Sequence, residues 1–137
     1  MKVCVSYSGS HEEFLKNWFL PSFPFEPGLV LLAEKLPQAC ASGRLFSDGW
    51  RQQMIVKQHF INRCLRSAVD GEFLLFTDVD INFYGPILSD LMNVFKRLPK
   101  DIYFMKDHNS DVTGRCGGFF VLKASKETKQ FFQEVLQ

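Results

Sequence analysis

The segment Glu72-Phe-Leu-Leu-Phe-Thr-Asp-Val-Asp80 restricts the folds open to this chain more than any other. Phe73–Phe76 is apolar at every position, without the alternation of a strand that faces water on one side. Such a run suits a parallel strand buried on both faces. Asp70-Gly71 stops whatever precedes it, and Gly85-Pro86 makes a turn after it. The run therefore delivers two carboxylates, Asp78 and Asp80, at or just past its C-terminal end. In open α/β sheets, ligands bind outside the carboxyl ends of the strands.

The remainder of the chain fits that sheet. Lys2–Tyr7 reads as a strand with β-branched Val3 and Val5, ended by Ser8-Gly9-Ser10. Ser10 and Glu13 have capping-box spacing, and Phe14, Leu15, Trp18 and Phe19 follow at helical intervals. Pro21, Pro24 and Pro27-Gly28 break that helix, and Leu29–Glu34 is a second strand. Pro37–Asp48 has few periodic apolar residues and reads as a loop placed to touch a ligand. A helix from Asp48 or Gly49 to about Ala68 carries Met54, Ile61, Leu65 and Ala68 on its apolar stripe, widened by Val56, Phe60 and Cys64. Ile87–Leu98 is a helix, Ile102–Met105 a short strand and Asn109–Arg115 a polar loop. Gly117–Leu122 is a strand opened by two glycines, and Ser125 caps a last helix still running at Gln137, with Phe131, Phe132, Val135 and Leu136 on its stripe. Strands alternating with helices predict an α/β fold with a mostly parallel sheet flanked by helices, in one domain over 1–137.

Composition supports a packed core. Hydrophobic residues make up 46% of the chain, and its 15 Phe carry a large burial payload, so disulfides are not needed. Cys4, Cys40, Cys64 and Cys116 lie far apart with no CxxC, and His11, His59 and His108 show no HxxxH spacing. These read as reduced thiols and as surface or satisfied imidazoles. The formal charge of +1 gives no overall field to attract nucleic acid. No apolar run reaches the roughly 18–20 residues of a membrane-spanning helix. The chain as given reads as cytoplasmic, with a Golgi lumenal setting as the alternative if it is a piece of a longer chain.

Two carboxylates at i and i+2 on a chain leaving a strand can converge on one cation. Hard oxygen ligands suit Mg²⁺ or Mn²⁺, which keep waters and bind phosphate as well. Asp78 and Asp80 therefore point to a metal–diphosphate substrate.

The stretch Phe73-Leu-Leu-Phe-Thr-Asp-Val-Asp-Ile-Asn-Phe-Tyr-Gly-Pro-Ile87 resembles the DxD segment of GT-A glycosyltransferases, most closely the nucleotide-diphospho-sugar transferase family. Gly117-Gly-Phe-Phe-Val-Leu-Lys-Ala-Ser125 is similar to that family's glycine-led strand and the helix after it. The resemblance implies a Rossmann-like GT-A fold and transfer of a sugar from a UDP- or GDP-sugar donor to a sugar, peptide or lipid acceptor. By matching position, Asp80 would be the direct metal ligand, and Asp78 would contact the donor's ribose or a metal-bound water. Lys57 would offset diphosphate charge, and Tyr7 and Ser8 would cradle the base. Gly117 and Gly118 would let backbone approach the sugar. Arg115 and Asp111 read as plain loop residues. No catalytic base is assigned.

GT-A domains normally continue past the equivalent of Gln137, so the fold reads as incomplete on the acceptor side. The expectation is donor binding stronger than transfer, with self-association through exposed Phe-rich surface. Two alternatives stand beside this reading. One is a non-catalytic, degenerate sugar-nucleotide-binding protein. The other is a haloacid-dehalogenase-like phosphatase, which Phe76-Thr-Asp-Val-Asp80 also resembles, although Asn82 and the mid-chain position depart from that motif.

Overall fold

The computed structural model describes residues 1–44, 46–106 and 115–135. Five strands form one sheet in the order β2-β1-β3-β5-β4. They are β1 (Lys2–Tyr7), β2 (Val30–Lys35), β3 (Phe73–Thr77), β4 (Ile102–Lys106) and β5 (Arg115–Lys123). β1 pairs in parallel with both β2 and β3, while β5 lies antiparallel to β3 and β4. The sheet is thus mixed, and β5 is the one strand running against the rest. Its C-terminal strand edge gathers the ends of β1, β2 and β3 with the beginning of β5.

β3 is central, as its unbroken apolar run requires. Leu74 and Phe76 face one side and Leu75 the other, all nearly inaccessible to solvent. On the first side they pack with Cys4, Phe60, Ile61, Leu65, Leu122 and Phe132, under helices α2 (Trp50–Ser67) and α4 (Lys126–Glu134). Asn62 Nδ2 on α2 donates to the Phe132 carbonyl at 3.0 Å and ties these two helices together. On the second side Leu75 packs with Val3, Val5, Leu15, Phe19, Phe23, Phe95 and Val121. That layer is covered by a helical run over residues 9–22 (α1) and by α3 (Leu88–Arg97). Burial of an aromatic or aliphatic side chain contributes roughly 1.5–3 kcal/mol, so the two layers supply the cohesion that the free thiols Cys4, Cys40, Cys64 and Cys116 do not.

The start of α1 departs from the sequence expectation. Ser10 caps nothing: its hydroxyl lies 2.9 Å from His11 Nδ1, and its amide donates to Gln38 Oε1 at 2.8 Å. Glu13 accepts from Asn17 Nδ2 instead of reaching back to the cap. The run opens with a 3-10 turn and passes through a π turn at Leu15–Phe19, with Leu15 and Phe19 buried. It then continues over Pro21 into a last turn, Leu20–Ser22. Tertiary partners for Ser10 outcompete the local cap. β5 also begins two residues earlier than expected, at Arg115, which pairs with Lys106 and is not a loop residue. Asp111, His108 and Leu136 lie outside the described residues.

The last helix is capped as its sequence says, but it spans Lys126–Glu134, and of its expected apolar stripe Phe132 is buried while Phe131 and Val135 are exposed. Ser125 Oγ accepts from the Thr128 amide at 3.2 Å, and Thr128 Oγ1 accepts from the Ser125 amide at 2.9 Å. Thr128 closes the capping box in place of the usual Glu or Gln. Ser125→Ala is expected to cost about 1 kcal/mol, read as a lower urea midpoint with an unchanged slope.

Candidate functional site

A cavity of about 450 Å³ opens at the C-terminal edge of the strands. Its inner part is built around Asp78. The Asp78 amide donates to the Gly118 carbonyl at 2.8 Å, so the β3–β5 ladder extends one residue past β3 and holds the backbone there. Its Oδ1 receives Lys57 Nζ from α2 at 2.5 Å, and the same ammonium reaches the Gly117 carbonyl at 3.4 Å. Oδ2 occupies the space a side chain at 118 would need, because a Cβ there would stand 2.7 Å from it. The chain then turns at Val79–Asp80. Val79 is buried beneath the cavity, while Asp80 is exposed and lines it. Among the described residues, Asp80 makes no ion pair.

The opposite wall comes from the end of β1 and the loop after β2. Tyr7 and Ser8 line the cavity. Ser8 is buried, with its hydroxyl 3.1 Å from Ser10 Oγ and 3.3 Å from His11 Nδ1. The described residues of the loop over 37–49 form no helix or strand and are pinned by two side-chain amides. Gln53 Oε1 accepts from the Ala39 amide at 2.8 Å, while its Nε2 donates to the Pro37 carbonyl at 3.2 Å. Gln38 Nε2 donates to the Cys40 and Ala41 carbonyls at 3.1 and 2.9 Å. Gly49 sits at φ +78° with the Ala39 carbonyl where a Cβ would be, which only glycine tolerates. Cys40 is buried against this wall. Hydrogen bonds from Ser47 first, then Ser42, draw its thiol pKa below the ordinary value despite the opposing effect of burial.

Tyr7, Ser8, Lys57, Asp78, Asp80, Gly117 and Gly118 all face this single cavity, although they come from four parts of the chain. His11, Cys40, Trp50, Gln53 and Met54 line it too; Cys40 belongs to the loop expected to touch a ligand, and the other four carry no role in the sequence reading. His11 reads from sequence as a surface or satisfied imidazole, and its Nδ1 is bonded by Ser8 and Ser10 while Gly43 leaves room above its ring. Met54 is expected on the buried stripe of α2, yet it is about one-third exposed. The available signals were the i, i+4 and i+7 spacing of Trp50, Met54 and Lys57, which puts them on one helix face.

The site gathers one ammonium, two carboxylates, glycine backbone and strand-end hydroxyls in one cavity. Among the described residues no three His, Cys, Asp or Glu side chains converge, so a metal cage made wholly of protein is not formed there. A pair of carboxylates is nevertheless the usual protein share for Mg²⁺-type ions, with substrate phosphates completing the shell.

Comparison with known proteins gives the family and the fold. Residues 41–137 match the family model described as nucleotide-diphospho-sugar transferase. The chain belongs to that family. Its fold is similar to the crystal structure of the apo-form glycosyltransferase GlyE of Streptococcus pneumoniae TIGR4, with a TM-score of 0.63 at 10% identity. The similarity covers 98% of this chain and 37% of that one, so the chain spans just over a third of that protein's length. At that identity the likeness is one of fold. No curated protein sequence matches the chain. No helix among the described residues is long and apolar enough to cross a membrane.

Proposed function

We propose that this chain carries the donor site of a metal-dependent glycosyltransferase of GT-A type, acting on a UDP- or GDP-sugar. The observation that carries the reading is the meeting of Asp78, Asp80, Lys57 and the Gly117–Gly118 backbone in one cavity at the strand ends of a family member.

The residues present fit Mn²⁺ or Mg²⁺. Asp80 offers an exposed carboxylate that makes no ion pair among the described residues, and Asp78 gives Oδ1 to Lys57 and has Oδ2 against Gly118. When bound, the cation supplies Lewis-acid stabilisation of the departing nucleoside diphosphate. The protein's own part is positioning and charge. Lys57 places one positive charge beside the diphosphate, and Asp78 fixes where that charge sits. Asp80 would hold the cation. The ends of β1 at Tyr7 and Ser8 receive the nucleoside. Gly117, with no atom of the described residues within 4 Å of the place a Cβ would occupy, leaves the backbone open to the donor's sugar.

A diphosphate and two carboxylates repel one another unless a cation lies between them. Calorimetric titration with UDP-glucose and GDP-mannose is therefore expected to show binding in Mn²⁺ and at least tenfold weaker binding in EDTA. Equal affinity in the two buffers would remove the metal-bridged reading.

A further inference from the structure

α2 is two helices in one as far as packing is concerned. Its buried side chains begin at Phe60, and residues 50–59 include none. Lys57 is level with Asp78 at the end of β3, so the turns before it overhang the cavity. With a rise of about 1.5 Å per residue, Trp50 stands about 10 Å further out along the axis. Trp50 and Met54 line the cavity beyond Lys57.

Phe46 stands outside the cavity's lining, against the Trp50 ring at the end of this overhang. Its ring centroid lies 4.8 Å from that of Trp50, with the planes tilted by 59°. Phe46 is 79% exposed, and its φ of +61° is the positive value among the described non-glycine residues. A bulky side chain adopts that conformation at a cost, and leaving its ring in water forgoes burial. Neither feature helps the fold, and both turn an aromatic ring outward beside a cavity. The loop that presents it is held by the Gln38 and Gln53 amides.

We propose that Trp50 and Phe46 form an aromatic platform that takes the apolar face of a pyranose ring of the acceptor. The proposal rests on the donor reading above, which assigns the floor of the cavity to the nucleotide. The floor runs along the strand ends from Asp78 to Tyr7, Ser8 and Leu36, and the overhanging wall is left to the second substrate. The chemistry suits a saturated sugar. Its axial C–H groups carry partial positive charge and meet the negative face of a π system, while its hydroxyls stay in water. Two rings tilted by 59° make a shallow corner, which offers a saturated ring a face but does not sandwich a flat nucleobase.

Saturation-transfer NMR with a panel of methyl α- and β-pyranosides of glucose, galactose, mannose and xylose tests the platform, with and without UDP and Mn²⁺. At least one pyranoside is expected to receive saturation on ring C–H groups, falling at least fivefold in Trp50→Ala and in Phe46→Ala. Trp50→Phe should keep at least half of the signal. Tyr84→Ala, an exposed aromatic outside the cavity, should keep all of it. UDP affinity in Mn²⁺ should be the same in Trp50→Ala as in the unchanged protein. Absence of any pyranoside signal, or a signal undiminished in Trp50→Ala, would overturn the proposal. A tenfold loss of UDP affinity in Trp50→Ala would also overturn it, by giving the platform to the donor's base. Failure of the unchanged protein to bind UDP, with the Trp50-dependent pyranoside signal intact, would sink the donor reading and leave the sugar platform supported.

Discussion

Asp80→Asn is expected to weaken Mn²⁺-dependent binding of UDP-glucose by about 100-fold, equivalent to about 2.7 kcal/mol. The substitution keeps the size and planarity of the side chain and removes its charge. Lys57 already compensates Asp78 at 2.5 Å, whereas Asp80 makes no ion pair among the described residues and has its charge available for a cation. A neutral amide oxygen is a much poorer ligand for a hard divalent ion than a carboxylate. The fold should not notice, since exposed substitutions usually fall within about 0.5 kcal/mol. Asp90→Asn, in the first turn of α3 and exposed, supplies the control for charge alone. Calorimetry in Mn²⁺ with melting curves recorded in parallel makes the comparison. A loss of about threefold or less at Asp80, or an equal loss at Asp90, would show that Asp80 is not the metal ligand.

Gly118→Ala should hurt both stability and binding, and Gly117→Ala should separate the two. A Cβ at 118 would lie 2.7 Å from Asp78 Oδ2 and 3.3 Å from its Cγ. Asp78 cannot give way freely, because its amide is bonded to the Gly118 carbonyl and its Oδ1 to Lys57. Overpacking of this kind typically costs about 1–3 kcal/mol. Displacing the carboxylate also moves Lys57, so donor affinity should fall about tenfold, or about 1.4 kcal/mol. At Gly117 nothing among the described residues lies within 4 Å, and Ala there should melt with the unchanged protein. Any loss of donor affinity in Gly117→Ala then reports crowding of the ligand itself. Identical melting temperatures for the two variants would mean that the close fit at 118 is relieved by a shift elsewhere.

Much of this arrangement is legible in the sequence, and the legible part has a common cause. β1 over Lys2–Tyr7 and β3 over Phe73–Thr77 follow from apolar runs too short for helices and bounded by turn residues. Once those strands are central and parallel, the strand-end rule brings Tyr7, Ser8, Asp78 and Asp80 to one edge. Lys57 follows from the family resemblance, and α2 delivers it to that edge. What is not legible depends on partners far away in sequence. A periodicity of two says nothing about strand direction, so the reversal of β5 is hidden. Ser10 and Glu13 have the spacing of a cap, but Gln38 and His11 compete for Ser10. Met54 belongs to the right periodicity for the core of α2, yet the sheet beneath it ends short of that turn. His11 enters the cavity through a loop whose course is set by Gln53 and Gly43, and no local pattern announces that.

The two carboxylates sit on backbone of different kinds. Asp78 is still part of the sheet, its amide held by β5, while Asp80 lies in the turn beyond it. One acid is therefore ordered in advance, and the other retains rotational freedom until something captures it. The entropy of immobilisation falls on a single side chain at each binding event and is returned at each release. On the proposed donor reading, a receptor built so would grip a diphosphate firmly enough to orient it and still let the spent nucleotide leave, since departure would need only Asp80 to swing away and would leave the sheet undisturbed.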